Sequence, residues 1–557
     1  MHLDGFELDQ DNLEFLYAVE LVEKTNSNLY LTGKAGTGKT TFLKYIRKIL
    51  KKNSVVVAPT GVAAVNAEGT TIHSFFKVPF GPFTPDDYRL RTRPNQFDGD
   101  KSTIFDHFSF SREKRELIDS LELLIIDEIS MVRCDLLDVI DRLLRVYRKM
   151  PLSPFGGIQV LFIGDAFQLA PIAKYDEWEI LSQFYRSPHF FSAKVMEAYP
   201  PVYIELQKIY RQNDPDFIGL LNNVRVDKVS NQDLVKLNQR YNPRFDPAFE
   251  ENYITLATHN RQVDKINKIK LAALESESFF YEAVITGTFP NHMKPTDDVL
   301  QLKKDSQVMF VKNNYTRNYY NGKIGRISEC DEKNIFVVFE DDEEILVEVE
   351  TWKNIQYSWN AKEKKIEEKE LGSYTQFPLK LAWAVTVHKS QGLTFEKVIA
   401  DVGASFTTGQ VYVALSRCTS LQGLVLRSLL SRRAIRTDPV VLKFAEQLTP
   451  EAMILQQLEE GRIDQLYLKS KSLFLNHDFT DSIEHLLHAL SLRNDSHRPE
   501  FRRFLLIHIK ILIHKNKFSA LEQSFEKVLA NKIFPSSQLS LLTQLWTSVT
   551  EELAWKK

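Results

Sequence analysis

The sequence predicts an α/β protein with two parallel sheets flanked by helices, a small inserted β-barrel and an all-α C-terminal region. Three observations predict it. Short apolar, β-branched runs alternate with helix-length stretches over the first half of the chain and again towards Leu426, the pattern of strands buried on both faces of a parallel sheet. From 301 to 377 the runs shorten and tight turns such as Asn321-Gly322 separate them, as in a small barrel. Beyond about residue 439 only helical periodicity remains.

In chain order, Leu29–Leu31 reads as a strand, followed by a turn and a helix from Thr40 to Leu50. Ser54–Val57, Leu123–Ile126 and Val160–Ile163 are the next strands, and they assign residues 1–200 to a first α/β domain. Tyr253–Leu256, Ala382–Val385, Val398–Ala400 and Leu424–Leu426 assign 201–300 and 378–438 to a second. The insert at 301–377 is expected to use Val308–Val311, Gly325–Ile327, Ile335–Phe339 and Ile345–Val349 as strands, with the charged run Lys362–Glu370 as a solvated hairpin or loop. In 439–557, Asn476-His477-Asp478-Phe479 opens a helical segment with Ile483, Leu486, Leu487 and Leu490 on one face. Asn516-Lys517-Phe518 opens a similar one, so degenerate tetratricopeptide-like hairpins and a plain helical bundle both fit.

Composition sets the outer limits. A chain of 557 residues exceeds a single core, and 43% hydrophobic with 26% charged residues excludes wholesale disorder. Cys134, Cys330 and Cys418 are too far apart for a disulfide framework or a Cys-x-x-Cys metal site, which fits a reducing compartment. His485 and His488 share a helix face, but no third ligand type accompanies them, so no metal is expected there. Residues 1–5 lack the basic and apolar regions of a secretion signal, and Phe504–Ile513 is interrupted by His508 and Lys510. The expectation is a soluble cytoplasmic protein with no membrane partner. With 71 Lys+Arg against 73 Asp+Glu, any contact with nucleic acid has to be confined to one groove.

The chemistry begins at Gly33-Lys34-Ala35-Gly36-Thr37-Gly38-Lys39-Thr40-Thr41, which fits G-x-x-x-x-G-K-[ST] between a strand and a helix. Its glycines let backbone N–H groups wrap around phosphates, Lys39 neutralises the β- and γ-phosphates, and the Thr40 hydroxyl reaches Mg²⁺. Downstream, Leu123–Ile126 delivers Asp127 and Glu128 to the carboxyl edge of the same sheet. There Asp127 would hold Mg²⁺ and Glu128 would polarise the attacking water. Together these features predict an ATP-hydrolysing site, and no H-R-D…D-F-G series suggests a protein kinase. Gln168, just past Val160–Ile163, is placed either to contact the γ-phosphate or simply on a surface loop.

Behind the phosphate loop come Ala58–Ala64, Thr70–Phe76, Ile209-Tyr210-Arg211-Gln212, Val387-His388-Lys389-Ser390-Gln391-Gly392 and Val413–Arg417, in that order. This series resembles the superfamily 1B DNA helicases and, through Leu206–Arg225, the Pif1 family in particular. The resemblance covers roughly residues 10–430 and leaves the helical tail outside.

It implies two RecA-like domains that clamp ATP, a barrel of SH3-like type, and 5′→3′ translocation on single-stranded DNA with unwinding of duplex or structured DNA. Arg211 and Arg417 would come from the second domain as arginine fingers. Gly392 would join the nucleotide contacts. Thr60, Gly61, Thr71, His73 and Ser74 on the first domain, with His388, Lys389 and Ser390 on the second, would line the DNA track. His73 also fits a core histidine, and Phe75–Phe83 fits either a wedge at the single-strand/duplex junction or a packed loop. Polar and aromatic residues from Asn313 to Lys323 would touch DNA or dock on the first domain.

Two departures stand out. The family's adenine-reading glutamine has only Gln10 as a candidate, with no strong pattern around it. The segment Asp86–Phe110 is longer than the motif spacing requires. The resemblance also implies a role in replication, repair or genome maintenance near the nucleoid. An ATP-switched, DNA-clamping adaptor that recruits a protein partner through its tail is the alternative.

Overall fold

The computed structural model describes residues 9–495, apart from 10, 95–100, 213, 248–250, 252, 313, 315–318, 340–341, 361–362, 364, 404, 406 and 494. The first sheet is built from β1 (Leu29–Gly33), β2 (Ser54–Ala58), β3 (Thr70–Thr71), β4 (Leu123–Ile126), β5 (Gln159–Ile163) and β6 (Val202–Leu206). They pair in the order β3-β2-β4-β5-β1-β6, every pair parallel. The first, second, fourth and fifth are almost wholly buried, which is why they read as unbroken apolar runs. Parallel pairing aligns their carboxyl ends, so the loops after β1, β2, β4, β5 and β6 share one edge.

Strand β6 corrects the first domain boundary. It lies beyond residue 200, yet it pairs with β1 from Leu29↔Val202 to Gly33↔Leu206. The burial of Tyr203 and Leu206 against the sheet outweighs the short, mixed appearance of the segment.

The second sheet is parallel and four-stranded, in the order Ala384–Thr386, Ile254–Ala257, Val398–Asp401, Leu424–Leu426. One buried cluster joins Val57 and Leu124 of the first sheet to Leu256 and Ala400 of the second.

The inserted β-structure differs from the expected 301–377 unit. A five-stranded antiparallel sheet runs Glu344–Leu346, Ile335–Val338, Ile324–Cys330, Gln307–Phe310, Leu379–Leu381. It therefore closes on a strand beyond residue 377. Its own core includes Phe310, Tyr319, Ile327, Val337 and Leu379. The long hairpin Glu350–Asn360/Lys365–Gln376 leaves this sheet and pairs instead with Val284–Gly287. The charged run thus does lie in a hairpin, and it has a structural role. Glu368 accepts from Arg47 at 3.2 Å, and the Tyr357 hydroxyl accepts from Val56 N at 3.4 Å on β2.

Helix Pro439–Ala445 belongs with this large body, which corrects the boundary at 439. Phe444 stacks on Phe191 at 4.1 Å and on Tyr203 at 5.3 Å, and Asp438 pairs with His189 Nε2 at 2.9 Å. These aromatic contacts are long-range, so local helical periodicity could not assign them.

The second compact unit comprises Glu20–Ser27 and the chain from Pro450. Helices Glu451–Leu475 and Phe479–Leu492 form a hairpin around Asn476–Asp478, where His477 takes a left-handed φ of 64°. Ser470 and Ser482 donate to each other's carbonyls at 2.7 and 2.6 Å where the helices meet. Ile483, Leu486, Leu487 and Leu490 are buried as the periodicity indicates. Ser27 Oγ donates to Gln457 at 2.7 Å, and a Cβ on Gly461 would stand 2.3 Å from Thr25 Cγ2. The second expected unit at 516–529 lies outside the described residues. No helix among the described residues is long and apolar enough to cross a membrane.

Candidate nucleotide site and nucleic-acid track

The phosphate loop leaves the central strand β1. Gly36 and Gly38 have φ of 85° and 90°, a region that costs a residue with a Cβ, and helix Lys39–Ile49 starts directly after them. Thr37 Oγ1 donates to Lys34 O at 3.0 Å and holds the curl. Lys39 Nζ donates to Gly33 O at 2.6 Å and to Lys34 O at 3.1 Å, so the amine sits in the mouth of its own loop. Desolvation there, only partly opposed by the charges of Asp165 and Glu128, pulls its pKa down to about 8. Thr40 is exposed and Thr41 half-buried at the start of the helix.

Asp127 and Glu128 follow β4 at the same edge. Burial, reinforced by the neighbouring Glu128, pushes Asp127 up to about 7, and burial raises Glu128 also. The backbone of Glu128 is left-handed, with φ 51° and ψ 43°. Gln168 follows β5. Its Nε2 donates to Asp165 at 3.3 Å, so it is a buried, tethered group rather than a loose surface glutamine.

A raised carboxylate pKa gives a signed prediction. Below its ordinary pKa of 3.8 and up to about 7, Asp127 in the folded chain keeps a proton that the unfolded chain loses. Its favourable contribution to folding is therefore present at low pH and is lost as pH rises through 7. Asp127→Asn is expected to raise the melting temperature at pH 8 by roughly 2 °C, with the gap closing towards pH 5. Scanning calorimetry across that range checks it, and a gap that widens at low pH contradicts it.

Both arginines reach this edge, but by different routes from those expected. Arg211 does not hang from the second sheet. It lies in the segment leaving β6, where Tyr210 N donates to Gly36 O at 2.9 Å. A Cβ on Gly36 would stand 2.4 Å from Arg211 Cβ. Arg211 Nη1 donates across to Ser416 O at 3.1 Å, and burial together with Arg417 lowers its pKa to about 9.

Arg417 is buried and engaged by its own neighbourhood. It donates to Val413 O at 2.9 Å, to Leu393 O at 3.3 Å and to Ser416 Oγ at 3.1 Å. Desolvation lowers its pKa and the charges of Tyr412 and Glu128 oppose that shift, so it faces the carboxylate side of the cleft.

Four residues matter here that sequence reasoning quoted without assigning. Gln391 Nε2 donates to Glu128 Oε2 at 2.7 Å and to Gln168 Oε1 at 3.4 Å, which joins the second sheet's turn to both β4 and β5. The Tyr412 hydroxyl accepts from Ala35 N at 3.0 Å and ties the phosphate loop to helix Gln410–Leu415. Arg225 bridges Asp165 and Glu205, each at 3.0 Å, and lies 4.1 Å from the Phe167 ring centre. Burial alone would lower its pKa, but the two carboxylates and Tyr412 leave it raised. Tyr210 lies beside the loop, its ring 3.9 Å from where a Gly38 Cβ would stand. Its hydroxyl donates to Asp9 at 2.9 Å and accepts from Asn12 at 3.2 Å. Each lies inside a quoted motif, so the signal was position; its partners were invisible. Gln10 lies outside the described residues. Gly392 is exposed at φ 81°, one residue from Gln391, with open space where a Cβ would stand.

The expected track divides into exposed and inward-turned groups. Ser74, His388 and Lys389 are exposed. Thr60 and Thr71 spend their hydroxyls capping helices, accepting from Ala63 N and Ser74 N at 3.2 Å each. Gly61 is buried, and Ser390 is buried with its hydroxyl donating to Val387 O at 2.8 Å. These residues shape the turns, and their side chains are not displayed. His73 is half-buried, with Nδ1 2.8 Å from Val78 O and its ring 4.3 Å from Phe80. In Phe75–Phe83 the rings of Phe75, Phe76 and Phe83 are core, and Phe80 is 86% exposed, so the segment is a packed loop with one displayed ring.

Comparison with known proteins decides the family. The PIF1-like helicase model matches residues 8–233. The ATP-dependent DNA helicase Pif1 of Psychrobacter sp. is 31% identical over 476 residues, covering 75% of this chain and 68% of that one. The chain belongs to the PIF1-like helicase family.

Another PIF1-like relative, ATP-dependent DNA helicase PIF1 of Xenopus laevis, is 31% identical over 78% of this chain, and the chain spans 64% of that protein's length. Bacteroides sp. Pif1, solved in complex with ADP-AlF4, is 42% identical with a TM-score of 0.71, covering 78% of this chain and 96% of that one. A Bacteroides Pif1 with ADP-AlF3 and ssDNA is 41% identical with a TM-score of 0.55, covering 79% and 97%. The α/β, RecA-like reading of the two parallel sheets stands on these likenesses.

Proposed function

We propose that this chain is an ATP-dependent DNA helicase that moves 5′→3′ on single-stranded DNA and unwinds duplex or structured DNA. The observation that carries the proposal is convergence. Lys39, Asp127, Glu128, Gln168, Arg211 and Arg417 come from separate points in the chain to one carboxyl edge facing the second sheet's Gln391. Support also comes from relatives named as ATP-dependent DNA helicases and from a solved neighbour that holds ADP-AlF3 and ssDNA.

In this reading Gly33 to Thr41 wrap the phosphates and Tyr210 lies against the base. Lys39, Arg211 and Arg417 offset the charge that develops on the transferring phosphoryl group, and Gln168 orients the attacking water. Glu128, its carboxyl pKa raised by burial, takes the water's proton. Mg²⁺ fits the donor set: a buried carboxylate with a raised pKa at Asp127 and an exposed hydroxyl at Thr40 are hard oxygen ligands that lack a compensating divalent charge. When bound, it would bridge phosphate oxygens.

Ser74, His388 and Lys389 would contact the DNA backbone without reading bases, and Phe80 would present its ring at a single-strand/duplex junction. The five-stranded sheet is of SH3-like type in this reading, and the helical hairpin after Pro450 is tetratricopeptide-like, offering a surface to a protein partner. A cytoplasmic, nucleoid-associated role in replication or repair follows from the same reading.

The test is strand displacement on matched duplexes carrying a 5′ or a 3′ single-stranded tail, with ATP. Unwinding of the 5′-tailed substrate alone is expected. Unwinding of the 3′-tailed one alone overturns the polarity. ATP hydrolysis without unwinding of either favours the DNA-clamping adaptor.

A further inference from the structure

The turn after strand Ala384–Thr386 has two faces. On one, His388 and Lys389 are exposed. From the other, Gln391 reaches Glu128 Oε2 at 2.7 Å and Gln168 Oε1 at 3.4 Å.

The turn is internally braced. Lys389 N donates to Thr386 Oγ1 at 3.3 Å, Ser390 Oγ donates to Val387 O at 2.8 Å, and Leu393 N donates to Ser390 O at 3.0 Å. A displacement at His388 or Lys389 is therefore passed to Gln391 instead of being absorbed between them. At the receiving end, Glu128 has the left-handed backbone already described, which a non-glycine residue keeps only when its surroundings hold it. An amide N–H donated to a carboxylate is strong and directional, so it fixes where that oxygen points.

We infer that Gln391 is a positioning residue that couples nucleic-acid occupancy of the His388–Lys389 turn to the carboxylate of Glu128, so that a bound strand sets the rate of ATP turnover. The inference rests on the helicase reading above and deepens it. Gln391 touches no reacting atom. It acts through Glu128, the group that would polarise the water, and through Gln168, which would orient it. A strand that moves the turn thus alters two groups that must be aligned at once, and misplacement by about 1 Å in such a geometry costs up to ~10²-fold in rate.

The experiment is steady-state ATP hydrolysis by the full chain with and without an oligothymidylate, for wild type, Gln391→Met and Gln391→Glu. Met keeps the length and packing of the side chain and loses the donor; Glu keeps the shape and repels Glu128. Both variants are expected to lower the ratio of stimulated to unstimulated kcat by about tenfold or more, with the KM for ATP little changed. Oligothymidylate affinity, measured by fluorescence anisotropy without nucleotide, stays within about twofold in both, since a tenfold loss would require ~1.4 kcal/mol.

Equal loss of stimulated and unstimulated turnover would mean a structural role and overturn the coupling, as would a raised KM at unchanged kcat. A responsive wild type with equally responsive variants overturns this inference alone. A wild type whose hydrolysis ignores DNA overturns the inference and the helicase reading together.

Discussion

Lys39→Ala is expected to lower ATP turnover by about 10²–10³-fold. Glu128→Gln should lower it by about 10²–10⁴-fold, the range for losing a positioned general base. The two losses have different origins. Lys39 lies in the mouth of the phosphate loop, bonded to Gly33 and Lys34 carbonyls that a phosphate would replace, so its removal takes away the cation that binding and transfer share. Glu128 is held by Gln391, and the substitution keeps its shape while abolishing its basicity. Turnover by malachite-green phosphate release, and single-strand affinity by anisotropy, separate the cases. Binding of DNA should survive in both variants, because the exposed His388, Lys389 and Ser74 are untouched. Turnover like the wild type's in Lys39→Ala would sink the site assignment.

Arg225→Ala is expected to destabilise the fold by about 3–5 kcal/mol, the cost of removing one partner from a buried charge cluster. The guanidinium is buried between Asp165 and Glu205, one carboxylate following β5 and the other on β6, and it packs on Phe167. Asp165 in turn accepts from Phe167 N at 3.1 Å and from Gln168 Nε2 at 3.3 Å. Removing Arg225 leaves two uncompensated acids beside the nucleotide site. Arg225→Met separates charge from packing: it keeps the contact with Phe167, so any recovery over Ala measures packing alone. Arg225→Lys should fall between wild type and Ala, because a point-charge ammonium cannot satisfy both acids in the fixed geometry of a guanidinium fork. Urea denaturation of the three variants checks the order. Stability of Arg225→Ala within 1 kcal/mol of wild type, a threshold well below the range for a broken buried pair, would show that the acids find another partner.

The division of labour between sequence and tertiary structure can be drawn residue by residue. The sequence by itself determined the parallel-sheet strands, because a strand buried on both faces must be apolar throughout, as Leu123–Ile126 is. It determined the phosphate loop, because the φ angles of Gly36 and Gly38 restrict residue type locally. It also determined the place of Asp127 and Glu128, since a carboxylate just past a buried strand can only lie at the sheet's edge.

Only the tertiary structure decided that β6 joins the first sheet, that the insert's long hairpin leans on β2 instead of closing a barrel, and that helix Pro439–Ala445 belongs to the large body. It alone decided that Ser390 and Gly61 turn inward, that Arg211 arrives from the β6 side, and that Gln391 meets Glu128. The reason is range. Periodicity, turn chemistry and glycine conformation act over a few residues and leave their mark there. Pairings such as Gln391 with Glu128 or Arg225 with Asp165 depend on how separate elements pack, and a glutamine or arginine bears no local trace of the partner it will find.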